Sequence, residues 1–203
     1  MQSFSVSCDN LSHNGVSSQS ILKTVDNLIT LMRIREAAIS DVNTLAQIHV
    51  ASWRTSYRGI MPDDLLDNLS VNEFEQIWYN NLHNNDRVNL VCQVEDQVVG
   101  WASLGVSRDD DALSTKELYG IYLFPNQYRR GYGSALWEAV LQICAAQGAT
   151  RITLWVLYNN VNARHFYEQM GCSLEKGVIK EVERFGVVIP EVRYSRAIFG
   201  DAT

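Results

Sequence analysis

The stretch Pro125-Asn-Gln-Tyr-Arg-Arg-Gly-Tyr-Gly-Ser-Ala-Leu136 decides how the rest of the chain is read. Before it, Glu117 to Phe124 is rich in Leu, Ile and Tyr and is stopped by Pro125, which predicts a strand. After Gly133, residues Leu136, Ala139, Val140 and Ile143 make one apolar stripe at helical spacing, and Gly148 stands where a C-terminal cap is wanted. Two glycines and a serine therefore lie between a strand end and a helix start. Four unpaired main-chain N–H groups and the positive end of the helix dipole face outward there. That arrangement attracts phosphate, and Arg129 and Arg130 add two cations suited to a diphosphate. Glycine also occurs at such turns for steric reasons alone, so the spacing by itself leaves both an anion site and a structural turn open.

Two phosphate loops fail on particular residues. A P-loop closes with Gly-Lys-Ser/Thr, but Gly133 is followed by Ser134-Ala135. The dinucleotide fingerprint needs a third glycine where Leu136 stands, and no acidic residue follows the next strand at Leu157-Tyr158-Asn159-Asn160.

Outward from the turn, Ile152 to Leu157 is almost wholly apolar, as a strand covered on both faces should be. Asn159 or Asn160 caps a helix to Met170 with Ala163, Phe166 and Met170 inward, and Gly171 ends it. Cys172 to Lys180 and Pro190 to Ile198 read as a closing pair of strands. Upstream, Asn89–Val94 and Val98–Leu104 form a hairpin around Glu95-Asp96-Gln97, and Arg108 to Asp111 is a charged loop. Met32 to Ala37 is an edge strand. Ser40-Asp41 caps a helix that ends near Arg58-Gly59, and Asp63–Asn68 and Val71–Leu82 are short helices. The elements begin antiparallel and then make a parallel crossover, which predicts a mixed sheet with helices on both faces.

Composition bounds the function. With 203 residues, 46% hydrophobic residues and 3 prolines, the chain suits one compact domain. Seven of the first twenty residues are serine, and Ile21, Leu22, Val25, Leu28 and Ile29 recur at helical spacing. Residues 1–31 are thus expected to be an extension, a polar tail plus a short amphipathic helix, ahead of a domain over 32–200. Apolar runs are too short to span a bilayer, and no positive charge precedes Lys23, so the expected location is the cytoplasm. A net charge of -6 with scattered cations excludes a nucleic-acid face. Cys8, Cys92, Cys144 and Cys172 lack metal-ligand spacing and read as reduced thiols; no metal is expected.

Tyr128-Arg129-Arg130-Gly131-Tyr132-Gly133 resembles the pyrophosphate loop of the GNAT superfamily of acyl-CoA-dependent N-acetyltransferases, written Gln/Arg-x-x-Gly-x-Gly/Ala, with Tyr at the first position and Gln127 one place earlier. Leu154-Trp-Val-Leu-Tyr-Asn-Asn160-Val-Asn-Ala163-Arg-His-Phe166-Tyr167-Glu-Gln-Met-Gly171 is similar to the strand and Ala-x-x-Phe-Tyr helix of that superfamily. Ser52-Trp53-Arg54-Thr-Ser-Tyr57-Arg-Gly-Ile-Met-Pro62 resembles the first-helix segment of many small bacterial members. The likeness covers residues 32 to 198. It implies an α/β fold with a mostly antiparallel sheet of about seven strands, and transfer of the acetyl group of acetyl-CoA to an amine of a small molecule or protein.

Under that resemblance each chemical task has a candidate. Arg129, Arg130, Gly131, Tyr132, Gly133 and Ser134 would hold the pyrophosphate, and the Leu123 N–H, beside Phe124, would polarise the thioester carbonyl. An amine is protonated at neutral pH, with a pKa of about 10, so a base is needed, and Glu117 is the first choice. The competing reading of Glu117 is a solvated strand-end charge. Tyr167 would protonate the leaving thiolate. Asn160 lies two helical turns before it and would line the pantetheine arm, unless it is only a helix cap. Trp53 and Tyr57 share a helix face and would wall the amine pocket, although such aromatics are more often core. The runs Asp63-Asp64-Asp67 and Asp109-Asp110-Asp111 would attract a cationic acceptor or would simply be solvated. Two other functions stay open: a non-catalytic acyl-CoA sensor, favoured if Glu117 points away from the thioester, and an ordinary nucleotide-binding α/β protein. The sequence allows a homodimer and does not name the acceptor.

Overall fold

The computed structural model describes residues 32–184 and 186–198. The expected tail and helix within residues 1–31, and the last residues of the expected domain, lie outside them. Among the described residues seven strands form one sheet: β1 (Met32–Glu36), β2 (Arg87–Val94), β3 (Gln97–Val106), β4 (Thr115–Leu123), β5 (Arg151–Leu157), β6 (Ser173–Arg184) and β7 (Val187–Ala197). Their spatial order is β1-β2-β3-β4-β5-β7-β6, and of these seven strands only β4 and β5 pair in parallel. Helices α1 (Val42–Ser56), α2 (Asp63–Asp67) and α3 (Val71–Leu82) precede β2, α4 (Tyr132–Ala146) connects β4 to β5, and α5 (Val161–Gln169) follows β5.

The sheet has a core on each face. Leu118, Leu123, Ile152, Leu154 and Val156 pack with Leu136, Trp137, Val140 and Cys144 of α4 and Tyr167 of α5. On the other face Val91, Trp101, Leu157 and Ile189 pack with Leu45 and Ile48 of α1, with Tyr57 just past its end and with Phe74 and Trp78 of α3. Alternation along each strand divides the side chains between the two layers.

Three local expectations change. Asp41 does not cap its helix: its carboxylate accepts two bonds from the Arg35 guanidinium and one from the Ala38 N–H at 2.7 Å. Pro190 lies within β7 rather than at its start. Its carbonyl accepts from the Tyr158 N–H just past the end of β5, so the missing Pro N–H faces a place with no ladder partner. Phe166 of α5 and Met170 just past its end are only half-buried, and Tyr167 is the buried residue of the helix.

One feature of the sheet prepares the site. The β4–β5 ladder runs only from Thr115–Arg151 to Leu118–Leu154, although both strands continue. Beyond those four residue pairs they diverge into a fork. The Phe124 N–H donates to the Val99 carbonyl at 3.0 Å, so antiparallel alternation turns the main-chain polar groups of Leu123, and of Ile121 before it, into the fork.

Candidate active site

The turn after β4 folds as a cradle. Pro125–Gln127 makes one 3-10 turn, Arg129 sits at φ 63°, and Gly131 at φ 85° is the N-cap of α4. The left-handed region suits glycine and strains an arginine, so the loop holds a conformation the chain does not favour locally. The N–H groups of Tyr132, Gly133 and Ser134 open the helix without intrahelical acceptors. A Cβ on Gly131 would meet nothing within 4 Å, whereas one on Gly133 would touch Phe166 at 3.5 Å and Leu123 at 3.7 Å. Gly131 therefore borders open space, and Gly133 faces the protein. Arg129 and Arg130 are exposed, with no acidic partner among the described residues. Tyr128, at the divergent first motif position, reaches across to α1, where its hydroxyl lies 3.3 Å from the Ser56 hydroxyl.

The fork collects phenols from both layers. From the α1 side, the Tyr57 and Tyr122 hydroxyls are 2.6 Å apart. From the α5 side comes Tyr167, its ring against Trp137 and Phe166. Burial pushes the Tyr57 phenol well above its ordinary value, with Tyr122, Tyr167 and the Glu191 carboxylate adding to the rise. Burial does the same to Tyr167, with Tyr122 and Cys172 contributing. These phenols stay protonated and can donate hydrogen bonds across the fork. Ser52 of α1 donates to the Leu123 carbonyl at 2.5 Å, which fixes the main chain where its N–H enters the gap. Asn160 caps α5, its Oδ1 accepting from the Ala163 N–H at 3.2 Å.

Glu117 is fully buried, not a solvated strand-end charge. Its carboxylate accepts from the Arg108 N–H at 2.8 Å and from Arg108 Nε at 3.0 and 3.1 Å, with a further bond from Nη2. Both oxygens are committed, which is poor preparation for receiving a proton. The acidic runs are also engaged. Asp109 accepts from the Trp155 indole at 2.8 Å, Asp111 pairs with Arg193 and Arg151, and Asp63 and Asp67 pair with Arg58. Ser107 to Asp111 thus forms a strap pinned across β5 and β7. Trp53 is half-buried and Tyr57 buried, their rings 5.2 Å apart in the aromatic core that also holds His49, Phe74 and Trp101. His165 is exposed, as expected. Sequence reasoning missed Ser52, Tyr122 and Arg108, whose relevance arises only from contacts between residues far apart in the chain or across a loop.

Among the described residues no cluster of His, Cys, Asp or Glu could hold a metal, and no helix is long and apolar enough to cross a membrane. Cys92, Cys144 and Cys172 are buried free thiols.

The chain is 33% identical over 130 residues to the "Uncharacterized N-acetyltransferase YuaI" of Bacillus subtilis, covering 64% of this chain and 74% of that protein. Two solved structures share the fold. PaiA N-acetyltransferase from Thermoplasma acidophilum, in complex with coenzyme A, superposes with a TM-score of 0.61 at 21% identity, covering 79% of this chain and 97% of that one. Ribosomal-protein-alanine N-acetyltransferase from Brucella melitensis gives 0.65 at 19% identity, with coverages of 81% and 99%. The profile of the acetyltransferase (GNAT) family matches residues 45–172, more than half of the chain. With the glycine cradle, the forked sheet and the phenols in that fork, this match shows that the chain belongs to the acetyltransferase (GNAT) family and is an acetyl-CoA-dependent N-acetyltransferase.

Proposed function

We propose that the protein transfers the acetyl group of acetyl-CoA directly to a primary amine of a small molecule or protein, with reaction in the β4–β5 fork. The observation that carries this reading is the fork itself: the Leu123 N–H turns into it, phenols line it from both layers, and the anion cradle stands at its mouth. The residues fit the cosubstrate. The N–H groups at the start of α4 and the guanidinium groups of Arg129 and Arg130 would hold its pyrophosphate, and the open space beside Gly131 leaves room for it. Bound there, acetyl-CoA supplies an activated acyl group. The Leu123 N–H would stabilise charge developing on the carbonyl oxygen, and Tyr167 would hold a proton for the departing sulfur. Phe124, Tyr132 and Asn160 would border the thiol arm.

Glu117 serves in this reading as the anchor of the Arg108 strap. The sensor alternative is favoured if Glu117 points away from the thioester, and amine-dependent release of CoA separates the two readings. Trp53 and Tyr57 wall the acceptor side. We place the protein in the cytoplasm, where buried thiols stay reduced, and residues 1–31 outside the catalytic domain.

Titration calorimetry with acetyl-CoA, followed by a CoA-release assay over a panel of amines and N-terminal peptides, tests the proposal. Micromolar binding with release that depends on the amine is expected; binding without amine-dependent release would favour the sensor.

A further inference from the structure

Aromatic rings gather on the α1 side of the fork, and His49 is their hub. Its imidazole lies 4.4 Å from the Phe74 ring centre, 5.1 Å from those of Trp53 and Trp101, and 5.4 Å from that of Tyr122, which stacks on it at 24°. These side chains come from α1, α3, β3 and β4, so the tertiary fold assembles the cluster and no single helix does. Resting on the acetyl-transfer reading above, we propose that the acceptor is a primary amine carried on a flat apolar body, an arylalkylamine. Its body lies on the rings of His49, Trp53 and Tyr122 while its nitrogen meets the Tyr57 and Tyr122 hydroxyls.

Position ties the cluster to the chemistry. Tyr122 immediately precedes Leu123, and period-two alternation sends the two side chains to opposite layers, Leu123 to the α4 core and Tyr122 to the α1 core. Tyr122 faces Trp101 across the β3–β4 ladder, their ring centres 4.8 Å apart. The Tyr122 hydroxyl stands 2.6 Å from that of Tyr57, whose ring centre is 5.2 Å from that of Trp53. An amine nitrogen at those hydroxyls, facing a carbonyl polarised by the Leu123 N–H, therefore has its carbon body beside the rings.

Exposure is graded through the cluster. Phe74, Trp78 and Trp101 are buried at its base, whereas His49, Trp53 and Tyr122 are half-buried and keep accessible surface. Packing alone does not account for these side chains. His49 Nδ1 and the indole nitrogens of Trp78 and Trp101 are buried without a hydrogen-bond partner among the described residues. Phe or Leu would fill such space without leaving polar atoms unmet.

What rings offer a ligand is a flat apolar face of negative potential, which suits an aromatic group by stacking and the adjoining ammonium by cation–π attraction. Burial keeps the imidazole neutral, its pKa lowered from the ordinary 6.5 to about 3, so it adds no positive charge to repel that ammonium. A peptide would carry main-chain amides onto this wall, and a polyamine a thin chain that leaves most of the ring surface uncovered.

The test uses the full chain and four probe amines: phenethylamine, ethylamine, which lacks the ring, spermidine, and a peptide with a free N-terminal alanine. Tryptophan emission is followed as each is added to the CoA-bound protein, and CoA release from acetyl-CoA is measured with the same four. Phenethylamine should give a saturable emission change and a kcat/KM at least about tenfold above each of the others. Trp53→Ala should remove about tenfold of that preference through KM, with acetyl-CoA affinity unchanged by calorimetry. Should Trp53→Ala not fold, Trp53→Phe carries the same test, with a smaller loss of preference expected. Equal or better turnover of ethylamine, spermidine or the peptide would overturn the assignment. So would folded Trp53 variants that keep the full preference, or a wild-type protein that binds acetyl-CoA but acetylates none of the four probes. A wild-type protein that does not bind acetyl-CoA would fail differently, sinking the acetyltransferase reading itself.

Discussion

The Ser52 hydroxyl donates to the main-chain oxygen of Leu123 at 2.5 Å, binding the middle of α1 to the last residue of β4. Ser52 is fully buried, so Ser52→Ala leaves that carbonyl without its partner, at a cost of about 1–3 kcal/mol. The same change loosens Leu123, the residue whose own N–H, in the preceding peptide, faces the fork. Ser52→Ala should therefore lower both Tm and kcat, read by thermal melts and CoA release. A loss of Tm with unchanged kcat would separate the bond from the chemistry.

The two glycines of the cradle should behave differently. Gly131→Ala must hold a left-handed conformation, worth roughly 1–2 kcal/mol, and would put its methyl into the open space beside the helix terminus. Gly133→Ala meets Phe166 at an ordinary contact distance and should fold normally. Calorimetry should find acetyl-CoA affinity reduced more by Gly131→Ala. Arg129→Ala and Arg130→Ala should each weaken it by about 1 kcal/mol, less at high salt.

Tyr167→Phe removes one hydroxyl from a buried ring that keeps its contacts with Trp137 and Phe166. Rate should drop about 10²–10⁴-fold, with little change in Tm or acetyl-CoA affinity. Near-normal kcat under chemistry-limited conditions would return Tyr167 to a packing role.

His49 gives the fold a pH signature. Burial among Phe74, Trp101 and Tyr122 lowers its pKa from the ordinary 6.5 to about 3. The unfolded chain therefore binds a proton at this residue below about pH 6.5 that the folded chain refuses until about pH 3. Stability from this group is present above pH 6.5 and declines as pH falls through that window, by at most about 1.4 kcal/mol per pH unit. Denaturant melts from pH 7 to 4 should show a shallower decline for His49→Phe than for the wild type.

A protein that begins at Met32 should fold and keep acetyl-CoA affinity, because β1 starts there and pairs with β2 from its first residue. Circular dichroism and calorimetry decide the matter. Lost affinity would make residues 1–31 part of the site or of a required interface.

The strand-turn-helix around Gly131 was legible because every signal was local: a proline stop, two glycines and an apolar stripe. Residue pairs far apart in the chain were not. Asp111 reads as a solvated charge until β7 brings Arg193, 82 positions away, against it. Glu191 looks like any strand residue, and only the insertion of β7 between β5 and β6 sets it opposite Leu157. For Tyr167, helical spacing ranks positions relative to one another but does not say which stripe meets the sheet. The stripe through Phe166 and Met170 was the obvious choice, and the divergence of β4 and β5 draws in the neighbouring one.

The divergence of β4 from β5 means that this protein is built one strand short. Ile121 and the N–H of Leu123, whose carbonyl is held by Ser52, turn main-chain groups into a gap inside the sheet, not at its rim, where an extended molecule rich in amides could lie as a surrogate strand. A ligand that adopts this role is recognised through backbone geometry, so side-chain changes along the gap should be tolerated while a proline there should not. Acetyl-CoA would then also be a structural component of the sheet, and the liganded protein should resist amide exchange at Ile121 and Leu123 far better than the free one.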